Sequence, residues 1–116
     1  MKIGIDFDGT ITENPEFFSR FARTLRHTDM VYVISSCDKR NESILHKTTE
    51  QKKMKLKKWD IPYNKLLFAL EPIPVNKARI CIKYGIDVMI DDDVRNLKKI
   101  KTDCKKTVCL QYINKR

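Results

Sequence analysis

Five short apolar runs, each followed by a stretch of helical character, constrain this chain more than any other feature of its sequence. The runs are Lys2–Asp6, Met30–Ile34, Leu66–Ala69, Asp87–Ile90 and Thr107–Leu110. They are largely unalternating, as strands are when both faces of their sheet are covered. Strands alternating with helices predict a parallel sheet between two helical layers, a three-layer doubly wound α/β fold. With 116 residues, 41% of them apolar and 34% charged, the chain has room for one globular domain over residues 1–116 with a modest core.

Punctuation between the runs supports this division. Asn14-Pro15 reads as a helix start, with proline in the first turn and Glu16 beside it. Phe17, Phe18, Phe21 and Leu25 recur at helical spacing and are expected in the core. Residues 38–47 read as loop or a short helical turn. Thr48-Thr-Glu-Gln51 resembles a capping box that would open a helix running to about Trp59. Glu71-Pro-Ile-Pro74 reads as a rigid loop, followed by a helix from Val75 to Tyr84 with Gly85 as its stop. Asp93 is expected to cap a last helix over Val94–Ile100.

Composition excludes several classes. No apolar run approaches the ~18 residues of a membrane span, and the N-terminus does not read as a signal peptide, so a cytoplasmic location without membrane contact is expected. Cys37, Cys81, Cys104 and Cys109 have no metal-type spacing and suit reduced thiols. His27 and His46 read as solvated surface. The net charge of +9 admits nucleic acid as a secondary partner. The dense run Lys52, Lys53, Lys55, Lys57 and Lys58 is read as a solvated helix face.

Chemistry concentrates at the carboxyl ends of the predicted strands, where open α/β sheets bind ligands. Asp6-Phe-Asp8-Gly-Thr10 follows the first strand, Ser35 the second, and Asp91-Asp92 the fourth, while Lys77 lies in the helix before the fourth. Each is weak alone, and the ordered set is strong. Carboxylates sharing a crevice repel unless a cation sits among them, and hard oxygen donors favour Mg²⁺. A Mg²⁺ site in turn points to a phosphorylated ligand.

These residues resemble the motifs of the haloacid dehalogenase-like (HAD) superfamily of phosphohydrolases. Ile3-Gly-Ile-Asp6-Phe-Asp8-Gly-Thr10, Val31-Tyr-Val-Ile-Ser35, Asn76-Lys77 and Val88-Met-Ile-Asp91-Asp92 are similar to its four motifs in order. Trp59-Asp-Ile-Pro-Tyr63 is similar to a segment of its small phosphatases and nucleotidases. The resemblance implies strand order 3-2-1-4-5 and a capless hydrolase, since neither gap in the chain holds a folded cap. It implies a phosphomonoesterase for a nucleotide or sugar phosphate, with Asp6 as nucleophile and Asp8 as acid and base. Ser35 and Lys77 would bind the phosphoryl group. The Asp6 carboxylate, the Asp8 carbonyl and the Asp91-Asp92 pair would hold Mg²⁺. Asp92 falls where the family's glycine-aspartate variant has its aspartate, which favours it over Asp91 as the direct ligand. Thr10, Ser36 and Arg40 are expected on the substrate wall.

Two other readings stay open beside the metabolite phosphatase. One is a polynucleotide 3′-phosphatase, which the charge and an open site would suit. The other is a non-enzymatic phosphate- or protein-binding module. Specificity at a capless site has two routes, a neighbouring subunit of a homo-oligomer or a ligand large enough to cover the site itself.

Overall fold

The structure is a computed structural model that describes residues 1–37 and 42–114. Its elements run β1 (Lys2–Asp6), α1 (Pro15–Leu25), β2 (Met30–Ser36), α2 (Glu42–Lys58), β3 (Lys65–Ala69), α3 (Ile73–Tyr84), β4 (Val88–Asp91), α4 (Val94–Asp103) and β5 (Val108–Gln111). A short 3₁₀ turn, Ile11–Glu13, links β1 to α1. The five strands are all parallel in the order β3-β2-β1-β4-β5, and the described residues include no cap.

The pleat sorts the core into two layers. Ile3, Ile5, Phe7, Val31, Val33 and Ile90 point to one face, where they bury Phe18 and Ala22 of α1 and Leu56 of α2. Tyr32, Ile34 and Met89 point to the other, onto Ala78 and Cys81 of α3 and Leu97 and Ile100 of α4. Side chains alternate across a strand, so Gly4 and Asp6 share the α3/α4 face, and Ser35 shares the α1/α2 face with Val33. Gly4 is glycine for space: a Cβ there would lie 2.8 Å from Met89 Sδ and 3.0 Å from Ile34 Cδ1.

The helix ends follow their local chemistry. Asn14 Oδ1 accepts the Phe17 amide at 3.3 Å, Asp93 Oδ1 accepts the Arg95 amide at 2.9 Å, and Gly85 ends α3 with φ +66°. Four expectations are corrected. α3 opens at Ile73, not about Val75, so Ile73 and Pro74 of the expected loop form its first turn, where proline is tolerated. The 48–51 capping box does not open a helix: α2 begins at Glu42, so Thr48 lies inside it, and Thr49 Oγ1 donates back to the Leu45 carbonyl at 2.8 Å. Phe17 is not core but half exposed, stacked on Phe21 at the edge of the aromatic cluster. β2 extends to Ser36, because Ser35 and Ser36 continue the ladder opposite Phe68 and Ala69.

Candidate functional site

The carboxyl ends of β1, β2 and β4 meet at a crevice of about 390 Å³ whose walls include Asp6, Asp8, Ser36, Lys77, Asp91 and Asp92. Its acidic half is built on the α3/α4 face. Asp6 ends β1 and Asp91 ends β4, both buried, at 3% and 0% exposure. Lys77, one turn into α3 and 1% exposed, reaches between them. Its Nζ donates to Asp6 Oδ1 at 2.6 Å and to Asp91 Oδ2 at 2.8 Å.

Further donors hold both carboxylates. Asp91 takes the Asp93 amide on Oδ1 at 2.9 Å and Asn96 Nδ2 on Oδ2 at 3.2 Å. Thr10 Oγ1 donates to Asp6 Oδ2 at 3.1 Å and lies 3.4 Å from Asp92 Oδ1, tying the end of β1 to the end of β4. Asp92 is exposed. Gly9 makes room for it: at φ +83° the chain turns beneath this side chain, and a Cβ at Gly9 would lie 2.8 Å from Asp92 Cγ.

Asp6, Asp91 and Asp92 each place one oxygen within a 4.8 Å group. Three carboxylates and one ammonium leave this group with a formal charge of −2. Burial pushes the Asp6 pKa up to about 8, against the pull of Lys77 and with further help from Asp91. Burial also disfavours the Lys77 ammonium, but Asp6 and Asp91 outweigh it and raise its pKa. The donor set is all hard oxygen, which suits Mg²⁺, and a divalent charge matches the local excess. Asp91 is bound by three donors, whereas Asp92 is open, which favours Asp92 as the ligand.

Beside the crevice, on the α1/α2 face behind Asp8, Ser35 is fully buried. Lys52 reaches it from α2 and donates to Ser35 Oγ and, at 3.0 Å, to Asp8 Oδ2. The Asp8 carboxylate therefore turns away from the three-aspartate group and pairs with Lys52. Lys52 is a correction to the sequence reading. Lys53, Lys55, Lys57 and Lys58 are exposed as expected, but the Lys52 side chain is only 11% exposed. The signal was present in the spacing: Leu45, Thr49, Lys52, Leu56 and Trp59 fall at steps of four and three, the inner stripe of the helix.

Ser36 lines the crevice, half-buried, and Thr10 bridges carboxylates rather than facing open space. Arg95, also on the wall, is held by Asp93, Nη2 to Oδ2 at 2.8 Å, and that guanidinium keeps the Asp93 carboxyl below its usual range. Arg40 lies outside the described residues, as does Asp38.

No protein-family model matches the chain, and no curated protein matches its sequence. Solved structures do match its fold. A universal stress protein from Archaeoglobus fulgidus superposes with TM-score 0.57 at 17% identity, covering 94% of this chain and 92% of that one. A protein of the universal stress protein family from Burkholderia pseudomallei superposes with TM-score 0.56 at 10% identity, covering 96% of each chain. These neighbours overturn the resemblance to the haloacid dehalogenase-like superfamily. The aspartate-nucleophile phosphomonoesterase and the polynucleotide 3′-phosphatase were implied by that resemblance and fall with it. What the chain shares with these two proteins is its fold, here a three-layer α/β architecture.

Proposed function

We propose that this chain is a binding protein for a small phosphorylated ligand, held together with Mg²⁺ at the carboxyl ends of β1, β2 and β4. The observation that carries this reading is the local excess of negative charge: the buried Asp6 and Asp91 share one cation, Lys77, and the exposed Asp92 adds a third carboxylate to the group. Burying such charge is costly unless something offsets it. Asp6 and Asp92 would hold the ion, and Asp91 and Lys77 would fix Asp6 in place. A bound Mg²⁺ supplies positive charge that attracts phosphate oxygens. A crevice of about 390 Å³ lies in the size range of small-ligand sites.

The test is calorimetric titration of the full chain with Mg²⁺, and then with adenosine 5′-monophosphate in the presence and absence of Mg²⁺. Saturable Mg²⁺ binding that Asp92→Asn weakens at least tenfold, with nucleotide binding that depends on Mg²⁺, is the expected result. A wild-type chain that binds neither would refute the reading.

A further inference from the structure

Two lysines reach this end of the sheet from opposite faces and are held differently: Lys77 lines the crevice, whereas Lys52 lies behind Asp8, which lines it. Lys77 lies between two buried carboxylates, so withdrawing it would leave charge stranded in the core. Lys52 has a carboxylate partner, Asp8, whose side chain is 58% exposed. Asp8 can turn into water at little cost, because pairs with one solvated partner are weak. Lys52 itself is held in position. Its Nζ lies 4.9 Å from the centre of the Phe7 ring and 5.6 Å from that of Phe68, and it donates to the buried Ser35 hydroxyl.

We infer that Lys52 is the phosphate-binding cation of this site, oriented by Ser35, and that Asp8 holds the place of the ligand's phosphate until that phosphate displaces it. The inference rests on the binding function proposed above and assigns its anion-recognising residue. A phosphate dianion carries more charge than one carboxylate and offers more acceptor oxygens, so it competes well for an ammonium held among aromatic rings. Lys77 then keeps its two carboxylates throughout and serves the cation half of the crevice.

The experiment titrates inorganic phosphate into the full chain at saturating Mg²⁺, with wild type, Lys52→Met and Asp8→Asn. Methionine keeps an unbranched stem between the two rings and removes the charge. Phosphate Kd is expected to rise at least tenfold in Lys52→Met while Mg²⁺ affinity stays within twofold. Asp8→Asn keeps an oxygen to accept from Lys52 but drops the competing charge, so phosphate Kd is expected to fall at least threefold. That second variant changes an exposed side chain and gives an answer even if Lys52→Met does not fold. Phosphate binding that Lys52→Met leaves unchanged, or that Asp8→Asn weakens, overturns this inference alone. A wild-type chain that binds neither Mg²⁺ nor phosphate overturns the function beneath it as well.

Discussion

Replacing Lys77 by methionine is the sharpest test of how the acidic half of the crevice is held. Methionine fills much of the same volume, so the change removes an ammonium rather than packing. Two carboxylates that accepted it at 2.6 and 2.8 Å are left facing each other with side chains no more than 4% exposed. Breaking a buried pair from one side costs about 3–5 kcal/mol. With a urea slope of about 1–3 kcal/mol/M, the unfolding midpoint falls by roughly 2 M. The loss should also grow with pH. A buried acid whose folded pKa is raised contributes stability at low pH that is lost as pH climbs from 3.8 to its folded value. For Asp6 in wild type that window closes at about 8, and without Lys77 it extends higher. Urea unfolding in EDTA at pH 6, 7.5 and 9 reads both effects. Adding Asp91→Asn to Lys77→Met removes a stranded charge and should recover part of the loss, with a coupling of about 0.5–3 kcal/mol. A single-variant loss under about 1 kcal/mol at every pH would refute the argument, because it would mean that water reaches these groups.

Asp92→Asn should separate binding from stability. Its side chain is exposed and adds repulsion to Asp6 and Asp91, so thermal unfolding should stay within about 0.5 kcal/mol of wild type or improve while Mg²⁺ binding drops. Gly9→Ala should cost about 1–2 kcal/mol, since alanine must adopt φ +83°. Its Cβ would also push Asp92 aside, so calorimetry should show weaker Mg²⁺ binding. Asp87→Asn should flatten the acid limb of the stability curve. The Lys2 amide, followed by Lys106, holds the Asp87 carboxyl below 3.8, so its contribution is present above that pH and lost as pH falls through the folded value. Denaturant midpoints at pH 2.5, 3.5 and 5 would check this.

The architecture was legible because its signals are local and repeated. Apolar runs bounded by Asn14-Pro15, Gly85 and Asp93 gave elements whose type could not be mistaken, and unalternating strands implied a sheet covered on both faces. The start of α2 was not legible. Thr48-x-x-Gln51 has the same spacing whether a helix begins there or already passes through, and only the preceding turn decides between them. Lys52 was hidden by its neighbours, since a run of lysines reads as one solvated surface. Its place in the Leu45–Trp59 stripe separates it from Lys53 and Lys55, and that requires reading charge and periodicity together. The family resemblance failed for a different reason. The aspartates after β1 and β4, the serine after β2 and the lysine in α3 lie at the switch point of a 3-2-1-4-5 sheet, where ligands of such sheets bind whatever the chemistry. Such a set reports topology and electrostatics more directly than it reports a reaction.

Parity along the strands decides which charge meets which. Asp6 lies one pleat repeat from Gly4, and Asp91 one from Met89, so both must face α3 and α4. Ser35 lies one repeat from Val33 and must face α2. A single lysine could not serve both sets, because the sheet stands between them. Two helices on opposite faces therefore each contribute one, Lys77 to the buried pair and Lys52 to Ser35 and Asp8. The division also sets how the halves can respond. The Lys77 side has no solvated partner to release, so it can change its charge balance only by gaining a cation or a proton. The Lys52 side contains one half-exposed carboxylate and can exchange that anion for another. A ligand that brings phosphate to one half and shares a metal with the other satisfies both, and neither half alone supplies what such a ligand needs.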